Sequence, residues 1–314
     1  MPITFDNFRG GMVGILVGDA LGAPYEFYAD RKRVYDGEMT LEPRIYNRHT
    51  QTFRSGVVGQ ITDDSEMTIV VARAIAKIIS KGADPRETFI QGYLRWANSD
   101  TRMMGRNTRS LLKGVSTIRG YENRVKKIGL ESQSNGPLMR ALPFAFLPEE
   151  LGNEIALIAT KLTNDNDLVR DTILEYLSLV RNLLDGIAPS SVEEELDSDF
   201  RGKNKGWIKY PLIYLQQSLQ TYPLIPESLP KIADDIINNH RGCDSDTVLS
   251  IVFGVWCSAI GYRKLVRSEW FRDKLEIVIN ADTSSGGFPR PETFSAETFY
   301  GELDEIWNVF ASAE

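Results

Sequence analysis

Glycine recurs at every fourth position of the first apolar segment, at Gly10, Gly14, Gly18 and Gly22. Residues four apart share one face of an α-helix, and each interior glycine costs about 1 kcal/mol relative to alanine. A chain that keeps such a stripe must bring something close against that face, most simply a second helix. Met12, Val13, Ile15, Leu16, Val17 and Leu21 cover most of the remaining surface. The helix predicted over 5–21 is therefore apolar nearly all round and belongs at the centre of the fold. Asp19 falls near its end in an apolar setting, Pro24 closes it, and Glu26 follows.

Helical periodicity continues along the chain. Apolar residues at three- and four-residue spacing predict helices over 62–80, from Pro85 through Trp96, and over 109–115, 149–162 and 167–184. Further helices are predicted over 208–220, 229–239, 246–262, 270–280 and 296–311. The segment 30–60 is polar, dotted with aromatics and without period; it reads as a long loop with short strands or turns, a kind that is often functional or mobile. Segment 191–198 is acidic and reads as a short helix or solvated loop. Strict alternation of Val, Ile and Thr is nearly absent, and no low-complexity linker divides the chain. The expected fold is all-α: one compact, orthogonal multi-helix bundle spanning residues 1–314.

Two oxygen-rich clusters stand directly before apolar helices. Thr62-Asp63-Asp64-Ser65-Glu66 precedes the helix that begins near Met67, and Asp244-Ser245-Asp246-Thr247 precedes the one that begins near Val248. Taken singly, each is explained by helix capping: Asp63 and Glu66 have capping-box spacing, and acids in a first turn suit the helix dipole. Together they exceed what capping needs, since one residue caps a helix and each cluster carries surplus carboxylates and hydroxyls. Four carboxylates brought to one point would raise each other's pKa, and a divalent cation removes that penalty. Oxygen donors without a nearby thiolate or imidazole pair suit Mg²⁺ or Mn²⁺ rather than zinc. The expectation is a metal site where the two helix N-termini converge.

Composition narrows the rest. With 42% hydrophobic and 25% charged residues, the 314-residue chain has ample material for a core. Its net charge of −7, with signs interspersed, argues against a nucleic-acid binder. The two cysteines, Cys243 and Cys257, lack disulfide-framework spacing, and the N-terminus lacks a signal-peptide pattern, so a cytoplasmic home is expected. No apolar run approaches the roughly 18 residues a membrane span needs. Two histidines, His49 and His240, are too few for a His/Cys zinc site, and no Gly-x-Ser-x-Gly elbow supports a Ser-His-Asp triad.

Four segments together resemble the ADP-ribosylglycohydrolase family, including its dinitrogenase-reductase-activating members. They are Gly14-Ile15-Leu16-Val17-Gly18-Asp19-Ala20-Leu21-Gly22-Ala23-Pro24-Tyr25-Glu26, Thr62-Asp63-Asp64-Ser65-Glu66-Met67, Ser134-Asn135-Gly136-Pro137-Leu138-Met139-Arg140-Ala141-Leu142-Pro143 and Gly242-Cys243-Asp244-Ser245-Asp246-Thr247. The resemblance implies a binuclear Mg²⁺ or Mn²⁺ centre, with Thr62, Asp63, Asp64, Asp244, Asp246 and Thr247 as ligands. It places Glu26 at the junction of metal and substrate, and assigns Ser134, Asn135 and Gly136 to the ADP-ribose pocket. Asn164 stands where many members carry a histidine facing the ribose or adenosine part. Met103-Met104-Gly105 occupies the place of an acid used by arginine-directed members, with Asp100 three residues before Met103. Both Asn164 and Asp100 join the substrate-binding candidates. Tyr25, Phe27 or Tyr28 is a candidate adenine stacker, whereas Trp96, Trp207, Trp256, Trp270 and Trp307 read mostly as core. Arg140 is either a phosphate partner or a loop brace.

The implied function is a metal-dependent hydrolase cleaving the glycosidic bond between ADP-ribose and a modified acceptor, either a protein side chain such as arginine or serine or a small ADP-ribosyl compound. Attack at the anomeric carbon passes through an oxocarbenium-like state, and a neighbouring carboxylate takes a proton from water. Glu26 and Asp64 both remain open for that role. A monomer is expected, with no nucleic-acid or membrane partner. The rival reading is a catalytically silent relative that binds ADP-ribose or a protein partner, a toxin-countering immunity protein among its forms; the Asn164 and Met103 departures favour it modestly.

Overall fold

A computed structural model describes residues 3–26, 33–47, 52–99, 101, 103–187, 207–239, 243–283 and 288–313. Phe27, Tyr28, His49, Asp100, His240 and the acidic stretch 191–198 lie outside the described residues. In chain order the helices are α1 (Phe5–Gly22), α2 (Asp63–Lys81), α3 (Pro85–Ala97), α4 (Arg106–Leu112), α5 (Ile118–Ile128), α6 (Gly136–Met139) and α7 (Glu149–Lys161). There follow α8 (Asp167–Leu184), α9 (Lys209–Thr221), α10 (Leu229–Asp234), α11 (Ser245–Ile260), α12 (Tyr262–Leu265), α13 (Glu269–Ile279) and α14 (Ala296–Phe310). The fold is all-α. Among the described residues the only sheet pairs β1 (Arg44–Asn47) antiparallel with β2 (Thr52–Ser55), Arg44 opposite Ser55.

The long periodic helices fall where the apolar spacing predicts them. Four shorter ones do not, and two of these, α6 and α12, are single turns without a predicted counterpart. α4 begins three residues before the predicted 109, at Arg106, and α5 has no counterpart among the helices expected from spacing. Of the eleven residues of α5 only Ile118, Tyr121, Val125 and Ile128 are apolar or aromatic, and Tyr121 alone is buried. Their spacing of three, four and three marks one helical face, so the sequence carries this helix and the expectation left it out. The tryptophans divide too. Trp96 and Trp256 are fully buried, but Trp207, Trp270 and Trp307 are partly exposed, against the core reading. Trp270 donates its indole N–H to the Gly37 carbonyl at 3.1 Å.

The chain divides into two compact units, each built from segments distant in sequence. One comprises Thr4–Glu66 and Ser218–Leu303; the other comprises Met1–Ile3, Met67–Gln217 and Asp304–Glu314. No single break in the sequence separates them, in keeping with the absence of a linker.

In the first unit, α1 lies antiparallel against α11, and the glycine stripe is the contact. A Cβ on Gly10, Gly14, Gly18 or Gly22 would come within 3.0 Å of the carbonyl oxygen of Cys257, Phe253, Leu249 or Ser245 respectively. The backbone of α11 thus presents one carbonyl every four residues to one glycine every four residues. The N-terminus of α1 is closed by a capping box between Thr4 and Asn7, and Asn7 also donates its amide to the Ser258 carbonyl at 2.9 Å. At the other end the Ser245 hydroxyl donates to the Gly22 carbonyl at 2.9 Å, satisfying a terminal group of α1. Segment 33–43, expected as part of a loose loop, is tied down. Asn238 exchanges hydrogen bonds with the Tyr35 backbone, and the buried Lys274 ammonium pairs with Glu38 at 2.5 Å.

Among the described residues no helix is long and apolar enough to cross a membrane.

A methyl group at Gly18 meets backbone rather than a movable side chain, so no rotamer change relieves the overlap. Gly18→Ala should lower stability by about 1–3 kcal/mol, despite the helix propensity alanine adds. A methyl group at Gly301 on α14 would meet nothing within 4 Å; Gly301→Ala should leave the melting temperature unchanged or raise it. Paired thermal melts of the two variants check this.

Candidate metal centre

The α1–α11 contact sets the site. Because Gly22 rests against Ser245 and Asp246, the end of α1 and the start of α11 carry their acids to one place. Asp19, Asp64 and Asp246 form one group whose carboxylate oxygens lie within 4.8 Å of one another, and Glu26, Asp244 and Asp246 form a second. Asp246 belongs to both. All of these residues lie in the unit that holds α1 and α11. The N-termini of α2 and α11 converge here, so that Asp64 and Asp246 sit at the positive ends of two helix dipoles.

The cap of α2 comes from a different helix. The Asp19 carboxylate accepts the N–H groups of Thr62 at 2.9 Å and Ser65 at 3.0 Å, and the Thr62 hydroxyl at 2.7 Å. The Asp63–Glu66 capping box suggested by spacing is therefore replaced: Asp63 opens the helix, and the Glu66 carboxylate is held by Arg290. Asp19 thus bonds to backbone amides and at the same time takes a place in the acid cluster.

The remaining ligand candidates are nearby but not equivalent. The Thr62 hydroxyl also lies 3.4 Å from an Asp64 oxygen. The Thr247 side chain hydrogen-bonds Asp64, and the Thr247 N–H donates to Asp246 at 2.9 Å. Asp63 belongs to neither three-acid group, although its charge acts on both Glu26 and Asp64. Ser250, absent from the candidates that the sequence suggests, places its hydroxyl 3.4 Å from Asp64 while donating to the Thr247 carbonyl at 3.0 Å. Its one signal was a polar residue one turn beyond Asp246 on a mostly apolar helix.

Electrostatics set these acids apart from ordinary surface carboxylates. Burial raises the pKa of Asp19, countered in part by its hydrogen bonds. Burial, then the charges of Asp244, Asp63 and Asp19, holds Glu26 well above the usual carboxylate range. Asp64 is raised well above it by burial and by Asp19, Asp63 and Asp244. Asp246 is raised likewise by burial and by Glu26, Asp244 and Asp64. The donor set is all oxygen, carboxylates with hydroxyls among them, which matches hard divalent cations. The two acid groups could each hold a metal ion.

The substrate-binding candidates of the other unit form a separate polar network. Asn164 is buried; its amide donates to the Ser132 carbonyl at 2.7 Å and lies 3.2 Å from the Ser134 hydroxyl. Asn107 donates to the Thr163 carbonyl at 3.1 Å. Arg140 is 2% exposed and donates to the Tyr93 hydroxyl, the Gly136 carbonyl and the Thr163 hydroxyl, so it braces a loop as one of its two readings had it. Asn135 stands at the N-cap position of the short α6 that begins at Gly136, its carbonyl accepting the Leu138 N–H at 2.8 Å, with no side-chain cap. In the unit of the acid groups, Tyr25 is buried edge-on to Tyr35 at 6.0 Å between ring centres, and burial pushes its hydroxyl pKa up to about 12.

The profile of the ADP-ribosylglycohydrolase family matches residues 1–285. The chain belongs to that family. It is 24% identical over 261 residues to the ADP-ribosyl-[dinitrogen reductase] glycohydrolase of Rhodospirillum rubrum, covering 78% of this chain and 83% of that one. The solved structure of an ADP-ribosylglycohydrolase-related protein complex shares the fold, with a TM-score of 0.53 at 20% identity, over 88% of this chain and 99% of the other. Family membership supports glycohydrolase activity on an ADP-ribosylated substrate.

The raised carboxylates give a signed pH dependence. With folded pKa values above the unfolded ones, the native state holds more protons than the unfolded state over the interval between them. In divalent-free buffer, stability contributed by protonation of Asp19, Glu26, Asp64 and Asp246 is present near pH 4 and is lost as pH rises through their folded values. Urea denaturation between pH 5 and pH 8 should show the midpoint falling with rising pH; Asp246→Asn should flatten that slope.

Proposed function

We propose that this protein is a metal-dependent glycohydrolase that removes ADP-ribose from a modified acceptor, with two divalent cations, Mg²⁺ or Mn²⁺, held by the acid groups that share Asp246. The observation that carries this reading is the pair of three-carboxylate groups with Asp246 in common. The raised pKa values of Glu26, Asp64 and Asp246 support it, because burial and neighbouring acids make their charged forms costly without a cation.

Asp64, Asp244 and Asp246 are the central ligands, with Thr62, Asp63 and Thr247 completing the set. Asp19 positions Thr62 by two hydrogen bonds. Bound divalent cations supply Lewis acidity and anchor ribose hydroxyls near the anomeric carbon. Glu26 is our choice for the general base. It is partly exposed where Asp64 is buried and engaged by Ser250 and Thr247. A carboxylate whose pKa lies above its ordinary value is a stronger base toward the attacking water. Its like-charged neighbours hold the proton it gains against loss to solvent. Ser134, Asn135, Gly136, Asn164 and Asp100 are assigned to substrate binding. For Asn164 the role is indirect, through the loop that its buried amide fixes at Ser132 and Ser134.

A silent relative would need none of the charge arrangement around Asp246, so the enzyme reading is preferred. We place its action on a protein or small-molecule ADP-ribosyl conjugate, by a monomer in the cytoplasm.

Turnover assays and one variant test this. Turnover on a panel of ADP-ribosylated acceptors, arginine- and serine-linked among them, should appear with Mg²⁺ or Mn²⁺ and vanish in excess chelator. Asp246→Asn should lose metal binding in both positions and reduce kcat/KM by on the order of 1,000-fold or more, while its melting temperature in divalent-free buffer holds or rises. Turnover undiminished by chelator, or by Asp246→Asn, overturns the assignment.

A further inference from the structure

The ion pair between Arg290 and Glu66 serves neither capping nor acid–base chemistry. Arg290 Nε donates to one Glu66 oxygen at 2.6 Å and an Nη to the other at 2.9 Å. Both side chains are almost fully buried, 5% and 3% exposed. Desolvating two such charges offsets most of their attraction, so a buried pair of this kind is a poor source of stability. What it supplies is geometry, since a planar guanidinium meeting both carboxylate oxygens fixes distance and orientation together.

Glu66 lies one helical turn from Thr62, to whose carbonyl its N–H donates at 3.1 Å. Thr62, Asp63 and Asp64 therefore lie within the turn that Glu66 closes. Before that turn stands Gln60, which is buried and donates its side-chain amide to the Phe288 carbonyl at 2.8 Å. The Gln60 side-chain oxygen meanwhile accepts the Val57 N–H at 3.2 Å. Phe288 and Arg290 are two residues apart, and the Arg290 N–H donates to the Thr283 carbonyl at 3.2 Å. The Arg290 guanidinium also lies over the Phe294 ring at 5.5 Å. One short segment thus grips the acid loop on both flanks, through Gln60 ahead of Thr62 and through Glu66 behind Asp64.

We propose that residues 288–290 form a clamp that sets the position of the Thr62, Asp63 and Asp64 donors, with Arg290 as a positioning residue acting through Glu66. The proposal rests on the metal reading given above. It competes with a simpler role in which Arg290 only neutralises Glu66. The two make opposite forecasts. If neutralisation is the whole role, removing Arg290 adds net negative charge near the site and tightens cation binding. If Arg290 positions the loop, its removal weakens binding despite the added charge.

Calorimetric titration of the metal-free protein with Mn²⁺, paired with thermal melts, separates these. Arg290→Met should weaken Mn²⁺ binding by about 10- to 100-fold, as loss of groups that orient metal ligands does. The charge-neutral double variant Glu66→Leu with Arg290→Leu should weaken it to a similar degree, with the metal-free melting temperature close to the parent's, because an apolar pair can replace a buried ion pair without loss. Arg290→Lys keeps the charge but not the two-pronged contact, and should fall between parent and Arg290→Met. Tighter binding by Arg290→Met overturns the clamp. So does parental affinity in the double variant, or, should that variant not fold, parental affinity in Arg290→Lys. A fall in melting temperature with unchanged affinity marks a merely structural pair and overturns it as well. Parent protein that binds no Mn²⁺ overturns the metal reading itself, an outcome distinct from all of these.

Discussion

Everything at the acid site depends on how closely α1 can approach α11. Side chains normally hold helix axes about 8–10 Å apart. Here four glycines remove the side chains from one face, and the carbonyls at Ser245, Leu249, Phe253 and Cys257 occupy that space. Closeness is a condition for the site because Asp19 follows Gly18 directly and Asp246 follows Ser245. A spacing wider by a methyl group would draw Asp19 and Glu26 away from Asp246. The cost of about 1 kcal/mol for each helical glycine is the energetic counterpart of that placement.

The same contact creates an electrostatic problem and part of its solution. Burial raises Asp19, and burial with mutual repulsion raises Glu26, Asp64 and Asp246 well above the usual carboxylate range. Helix N-termini at α2 and α11 oppose this, and Asp19 gains three donors from Thr62 and Ser65. Those aids do not suffice, since the pKa values stay raised. A divalent cation would lift the repulsion among carboxylates crowded in this way, so the proposed metal site agrees with the electrostatics. By capping α2 from outside, Asp19 also leaves the acids of the first turn free of that task.

The unit that carries Asn164 follows a different logic. Its polar residues serve loop geometry: Asn164 holds Ser132 and Ser134, Asn107 holds Thr163, and Arg140 holds Gly136 and Thr163. The Asn164 amide has no ionisable ring, and its donor is used on the Ser132 carbonyl and the Ser134 hydroxyl. Arg140 is held by three neutral acceptors, so its guanidinium works as a bracket for two loops rather than as half of an ion pair.

Much of this was legible in the amino-acid order. Apolar periodicity located the long helices, the glycine stripe required a close helix partner, and the surplus acids before Met67 and Val248 exceeded what caps need. These are local signals, written in spacing and residue type. α5 was legible too, since its four nonpolar positions keep helical spacing, whereas Ser250 escaped because a hydroxyl within an apolar helix, like that of Ser258, has many meanings. The partner of the glycine stripe, the sharing of Asp246 between two acid groups, the cap that Asp19 lends to α2 and the grip of Arg290 on Glu66 were decided only by tertiary structure. Each joins residues at least 43 positions apart, and sequence spacing reports contacts only along a single element. Burial is the second reason: the same carboxylate is an ordinary cap in water and a raised, charge-crowded group once other helices exclude the solvent.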